Sequence, residues 1–208
     1  KNDVIVLAHN LSNQVFDFKY GDSFLLGKAQ WANGADGSFN GYIDNFKSIK
    51  NPQEPVVIDR PAVHLPLETN AINTGFTPLT INSVGSPTYT TIDDKKCIKF
   101  ESGKNINIAT SNIFNLGTNS DFYFEMDVYP IALVNEDLNN TLISNSTVFD
   151  SNYSSFCLSG TGKLTFQKYH VVIFQSINAV DLNKWNKIII RQKNSNLAIC
   201  LNGVETII

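Results

Sequence analysis

The chain has 208 residues and a formal net charge of −3, with 42% hydrophobic and 17% charged residues. That size and balance suit one large or two small globular β-domains with a real core. A near-neutral balance excludes the basic patch that a nucleic-acid partner requires, and no run of eighteen apolar residues marks a membrane span, so neither nucleic acid nor membrane insertion is expected.

In chain order, VIVLAH (4–9), VFDF (15–18) and FLLG (24–27) alternate or cluster apolar residues as strands do. KNDVIVLAHNLSN lacks a basic region followed by a long apolar core and does not read as a signal peptide. The polar, Gly-rich loop GKAQWANGADGS (27–38) follows, in which Trp31 has no evident core duty. An aromatic plane there could cover the apolar C–H face of a sugar ring. SFNGYIDNFKSI (38–49) reads as a turn and then a strand. Strict alternation sends Ile43 and Phe46 to opposite faces although both suit a core, so a β-bulge near Asp44 and Asn45 is expected.

Three prolines in NPQEPVVIDRP (51–61) exclude a central strand and suggest a linker or crossover. AVHLPLE (62–68) then opens a new strand, which Pro66 places at an edge. IKFES and NINIA continue the β pattern, and SNIFNLG (111–117) allows a short helix. In DFYFEMDVYP (121–130), Phe122, Phe124, Met126 and Val128 form an apolar face. Tyr123, Glu125, Asp127 and Tyr129 form the opposite face, and Pro130 is expected to end the ladder. KLTFQKYHVVIF, KWNKIIIRQ and LAICLNG close the series, with Trp185 expected to pack in the core or at its rim. The predicted fold class is all-β, an antiparallel two-sheet sandwich.

The candidate chemistry is non-catalytic. Glu125 and Asp127 stand two apart on one strand face, the spacing a glycosidase could use. His9, His64 and His170 sit alone, and no nucleophile elbow or phosphate loop occurs. The candidate ligand-binding residues are Trp31, Tyr42, Tyr123, Glu125, Asp127 and Tyr129, with Tyr169 a further exposed-type aromatic. Asp36, Asp44, Glu136 and Asp137 are oxygen donors in or near loops. Calcium is the one cofactor they would suit, although no calcium-loop motif is present. Cys97, Cys157 and Cys200 lie in strand-like runs and read as buried free thiols. Roughly one residue in eight is asparagine, so the sequons at Asn10, Asn139, Asn145 and Asn152 read as chance matches.

Taken together, HLPLE, CIKFESGKNINIA, DFYFEMDVYP, LNKWNKIIIRQKNSNLAICLNGVE and SFNGYIDNFKSI resemble the strands of the concanavalin A-like jelly roll in its laminin-G-like lectin branch. The last two segments carry the resemblance most specifically. It implies a carbohydrate-binding or adhesion module at a virion or cell surface. The partner would be a host-surface glycan or neighbouring copies of the same protein in a homo-oligomer. It also implies calcium in some relatives. The laminarinase-type hydrolases of the same superfamily carry E-x-D-x-x-E, and the third acid is here replaced by Pro130, so no catalytic residue is assigned.

The order of segments departs from that family. Residues 1–50 resemble its last strands, 51–60 a linker or crossover, and 61–208 its main body. Two arrangements account for this order: a circularly permuted sandwich, or a piece of a tandem array whose units exchange strands.

Overall fold

The computed structural model describes residues 24–27, 39–50, 63–75, 77, 79–101, 104–108, 121–134, 140–145, 154–168, 171–194 and 196–207. Among these residues there is no helix, and fifteen strands form two antiparallel sheets. In chain order they are β1 (Phe24–Leu26), β2 (Asn40–Lys50), β3 (Val63–Leu65), β4 (Ile81–Val84), β5 (Thr88–Ile92), β6 (Lys95–Phe100), β7 (Asn105–Ile108) and β8 (Phe122–Ala132). There follow β9 (Asn140–Ser144), β10 (Ser154–Leu158), β11 (Lys163–Lys168), β12 (Val171–Ala179), β13 (Asn186–Lys193), β14 (Asn196–Leu201) and β15 (Val204–Ile207).

The first sheet has the order β12-β11-β10-β9-β1-β7-β4. The second has the order β15-β14-β13-β8-β2-β6-β5, with β3 pairing β2 beside β6. The inner faces interleave phenylalanines from both layers. Phe24 of the first sheet lies 5.9 Å, centroid to centroid, from both Phe46 and Phe124 of the second. Phe156, also of the first sheet, meets Phe124 edge-on at 6.5 Å. Tilted and edge-on arrangements at such spacing are the favoured geometry of buried rings. The result is the expected all-β sandwich.

Strand β2 is central. One edge pairs with β8 along its whole length. The other edge pairs first with β6, through Gly41 to Ile43, and then with β3, through Phe46 to Ser48. The register on β8 slips between Asp44 and Lys47, and Asn45 takes φ +53°. This is the expected bulge. It brings Ile43 and Phe46, both fully buried, onto one face. Asn45 is suited to left-handed backbone, and His64 of β3 holds it through a 2.9 Å contact between Nε2 and Asn45 Oδ1. Gly41 is needed for another reason. A Cβ there would collide with the Tyr129 carbonyl oxygen and the Phe39 ring.

Two expectations need correction. Pro130 does not end its strand, because β8 runs to Ala132. By Pro130 the neighbour β13 has already stopped, at Asn186 opposite Val128, and the β2 register shifts between Asn40 and Gly41. A residue without an N–H is tolerated where pairing is already irregular. KLTFQKYHVVIF forms two strands, β11 and β12. Pro66 follows β3, which pairs on one side only. Residues 4–9, 15–18 and 111–117 lie outside the described residues, as do His9, His170 and Tyr169.

The cysteines are free; Cys97 and Cys157 are buried and Cys200 is partly exposed. Burial pushes the Cys97 thiol up to about 11, with the Asp44 charge adding to the effect. Burial raises the Cys157 thiol as well. Neither has the character of a reactive thiolate. Of the sequons, Asn145 is buried, with its Oδ1 accepting from the Ser154 N–H at 2.8 Å. The other three are outside the described residues.

Candidate functional site

The alternation of β8 places Tyr123, Glu125, Asp127 and Tyr129 on the outer face of the eight-stranded sheet. Register then decides what surrounds them. Lys47 lies opposite Glu125 on β2, Lys187 opposite Asp127 on β13, and Asp44 opposite Asp127 on β2. The two ends of this row have different chemistry.

At one end, Tyr123 and Glu125 are buried, at 7% and 5% exposure, and consumed by internal contacts. Tyr123 donates its hydroxyl proton to Glu125 Oε2 at 2.6 Å. Lys187 and Lys47 donate to Glu125 Oε1 at 2.5 and 3.5 Å. Burial opposes ionisation of Glu125. The hydrogen bonds from Lys187 and Tyr123 and the charges of both lysines outweigh it, leaving the carboxyl below its usual range. Burial and the adjacent carboxylate raise the Tyr123 phenol. These two residues form a closed ionic knot.

At the other end the row opens. Asp127 is tied to Lys95 at 3.0 Å and to Lys187 at 3.4 Å. Tyr129 packs edge-on against Tyr42 at 5.8 Å and against Trp185 at 5.5 Å. All three rings are partly exposed. Trp185 precedes β13, so its ring lies over the face rather than in the core. Its Nε1 donates to the Ile92 carbonyl at 3.2 Å, and the Lys95 ammonium stands 4.9 Å from the ring centroid. The aromatic row is thus flanked by a carboxylate and an ammonium, and Lys99 and Glu101 form a pair nearby on β6 and just beyond it.

Asp44 sits at the bulge beside Asp127. Burial first, and the Asp127 charge second, raise its carboxyl to about 6, with Lys95 acting in the opposite direction. Like charges facing across adjacent strands repel. Asp36, Glu136 and Asp137, the other metal candidates, lie outside the described residues, as does Trp31. Among the described residues, no three acid, histidine or cysteine groups converge to hold a metal ion.

Of the six expected ligand residues, the structure brings Tyr42, Asp127 and Tyr129 together on an accessible surface and sequesters Tyr123 and Glu125. Sequence reasoning missed Trp185 as the third ring, and Lys47, Lys95 and Lys187 as partners of the acids. The alternation of KWNKIIIRQ puts Lys187 and Arg191 on one face. Which acid each faces depends on register, which alternation does not encode. A scan of protein-family models and searches of curated proteins and of solved structures return no match.

Proposed function

We propose that this is a non-enzymatic carbohydrate-binding module of the laminin-G-like, concanavalin A-like kind, serving adhesion or receptor binding at a virion or cell surface. The observation that supports it is the contiguous, partly exposed row of Tyr42, Tyr129 and Trp185 beside Asp127 and Lys95. Aromatic planes cover the C–H face of a pyranose, and neighbouring charged groups take its hydroxyls. A hydrolase is disfavoured because Glu125 is locked by two lysines and a tyrosine, which keeps it ionised and unable to deliver a proton.

The test is a glycan array probed with the native chain and with Tyr129→Ala and Trp31→Ala. Tyr129→Ala is expected to weaken any hit by about ten-fold or more, which corresponds to losing about 1.4 kcal/mol of ring contact. Absence of any hit across microbial and host polysaccharides would sink the reading.

One observation favours a second role, assembly with neighbouring copies in a fibre, capsid or surface array. Terminal strand β12 carries no charge, and Val171 and Val172 on it are about half exposed, at 56% and 50%. Sedimentation at increasing concentration would reveal such self-association.

A further inference from the structure

On the outer face Glu125 and Asp127 are paired with lysines. The opposite condition holds at one edge of the sandwich. There a cleft of 380 Å³ opens between residues 68–69 and strand β5, lined by Glu68, Thr69, Tyr89, Thr90, Thr91 and Lys96. Tyr89, Thr91 and Lys96 share one face beside Glu68 and Thr69 and present a carboxylate, an ammonium, two threonine hydroxyls and a phenol, while Thr90 alternates to the opposite face of β5. No hydrogen bond or ion pair joins any of these six side chains to another described residue. The ends of β5 are engaged, by Trp185 Nε1 on the Ile92 carbonyl and by Lys104 on the Thr88 hydroxyl. In the middle of the strand Cys97 Sγ of β6 donates to the Thr90 carbonyl at 3.7 Å, and β5 is the terminal strand of its sheet. Such a strand turns alternate N–H and C=O groups outward.

The wall facing β5 is held in place. Leu67 is fully buried yet takes φ +58°, a conformation rare for a bulky residue. Its side chain goes into the core while its backbone turns the chain, which leaves Glu68 and Thr69 exposed beside β5. The segment beyond is stapled to β3. Asn73 Oδ1 accepts from the N–H groups of His64 and Gly75, both at 2.9 Å, and the Thr74 N–H donates to the His64 carbonyl at 2.8 Å. Backbone strain that persists in an over-determined segment is a pointer to function, and a rigid wall limits the entropy lost on binding.

We infer that this edge cleft is a second carbohydrate subsite, which takes one hexopyranose unit through Glu68, Lys96 and the hydroxyls of Thr69 and Thr91, with the Tyr89 ring as its apolar contact. The inference rests on the glycan-binding reading above. The cleft is shallow and open to solvent, which suits one ring laid against its wall. The mixture of one acid, one base and several hydroxyls suits vicinal hydroxyls, each both donor and acceptor. An anionic ligand would meet Glu68, and an apolar one would strand the hydroxyls.

The experiment is a titration of ¹⁵N-labelled protein with methyl β-D-glucopyranoside, methyl β-D-galactopyranoside and methyl N-acetyl-β-D-glucosaminide, following backbone amides and the Trp185 indole. Saturable shifts at Thr69, Thr91 and Lys96 are expected with at least one glycoside. The double variant Thr91→Val, Lys96→Ala should weaken them by about ten-fold or more while leaving shifts at Tyr129 and Trp185 in place. Both positions lie at the surface, and an unchanged melting temperature checks that the variant folds. Shifts confined to Tyr42, Tyr129 and Trp185 would overturn the subsite and leave the glycan reading standing. Cleft shifts that the double variant does not weaken would overturn it too. No shifts with any of the three would overturn both.

Discussion

Asp44 and Glu125 are two carboxylates on one sheet face, and their surroundings drive them in opposite directions. Glu125 is ringed by Lys47, Lys187 and Tyr123, and its ionised form is favoured. Asp44 is half-buried and faces another acid, Asp127, with Lys95 the nearby cation; burial first and the Asp127 charge second raise its carboxyl from 3.8 to about 6. The folded state therefore holds this proton more tightly than the unfolded chain. The contribution of Asp44 to stability is greatest below pH 4, falls as pH rises between about 4 and 6, and stays reduced above that. Asp44→Asn keeps an oxygen that can accept from the Asn45 N–H and removes the charge. Its melting temperature should exceed that of the native chain at pH 7.5, and the two should converge near pH 4. Equal melting curves at both pH values would show that neither burial nor the Asp127 charge disfavours the ionised carboxyl. Alternation in DFYFEMDVYP makes the shared face of Glu125 and Asp127 readable. It does not reveal that Glu125 is spent on lysines while Asp127 borders the open aromatic row, because Lys47 and Lys187 come from strands distant in sequence.

Strands are legible here in proportion to how differently their two faces are buried. β8 alternates because one face meets the phenylalanine core and the other meets tyrosines and charges. β10 does not alternate in burial at all. Phe156 and Leu158 enter the core, while Ser155 and Cys157 turn away and are still buried. Such a strand shows no period of two in hydropathy, and β9 hides in the same way. The bulge in β2 was legible because GYIDNF carries two core residues three apart, which a regular strand cannot put on one face. Its stability is testable. Asn45→Gly keeps the left-handed backbone and loses the His64 contact. Asn45→Ala loses the contact and also strains the backbone, at about 1–2 kcal/mol. Urea unfolding should rank native, glycine and alanine in falling stability. An alanine variant as stable as the glycine one would mean the bulge relaxes. Edge strands show a further device. β12 has no charge to ward off pairing, yet its register with β11 slips twice, and the Ile177 N–H is capped by Thr206 Oγ1 from β15 at 3.3 Å. Bulges twist an edge out of register for a partner, so a neighbouring copy would meet β12 through its exposed Val171 and Val172 side chains rather than by extending the sheet.

For the molecule as a whole, strands β1 and β2 are not an appendage. β1 stands between β9 and β7, and β2 stands between β8 on one side and β6 with β3 on the other. Removing both strands would split each sheet in two and strip the core of Phe24, Ile43 and Phe46. This is the physical content of the order in which GYIDNF precedes HLPLE. The texture of the segments was readable, but whether the early strands complete their own chain or a neighbour's was not, since strand pairing is the same in either case. A chain of residues 51–208 alone is expected to lack a cooperative thermal transition and to bind a hydrophobic dye, because its unpaired edges and exposed core offer no folded minimum. Adding a peptide of residues 1–50 in excess should restore cooperative melting by filling the same two gaps. Such rescue would also show that the two segments pair without a covalent joint, as exchange between tandem units requires. If instead 51–208 melts cooperatively by itself, the central placement of β1 and β2 contributes little, and the two-layer core must close without them.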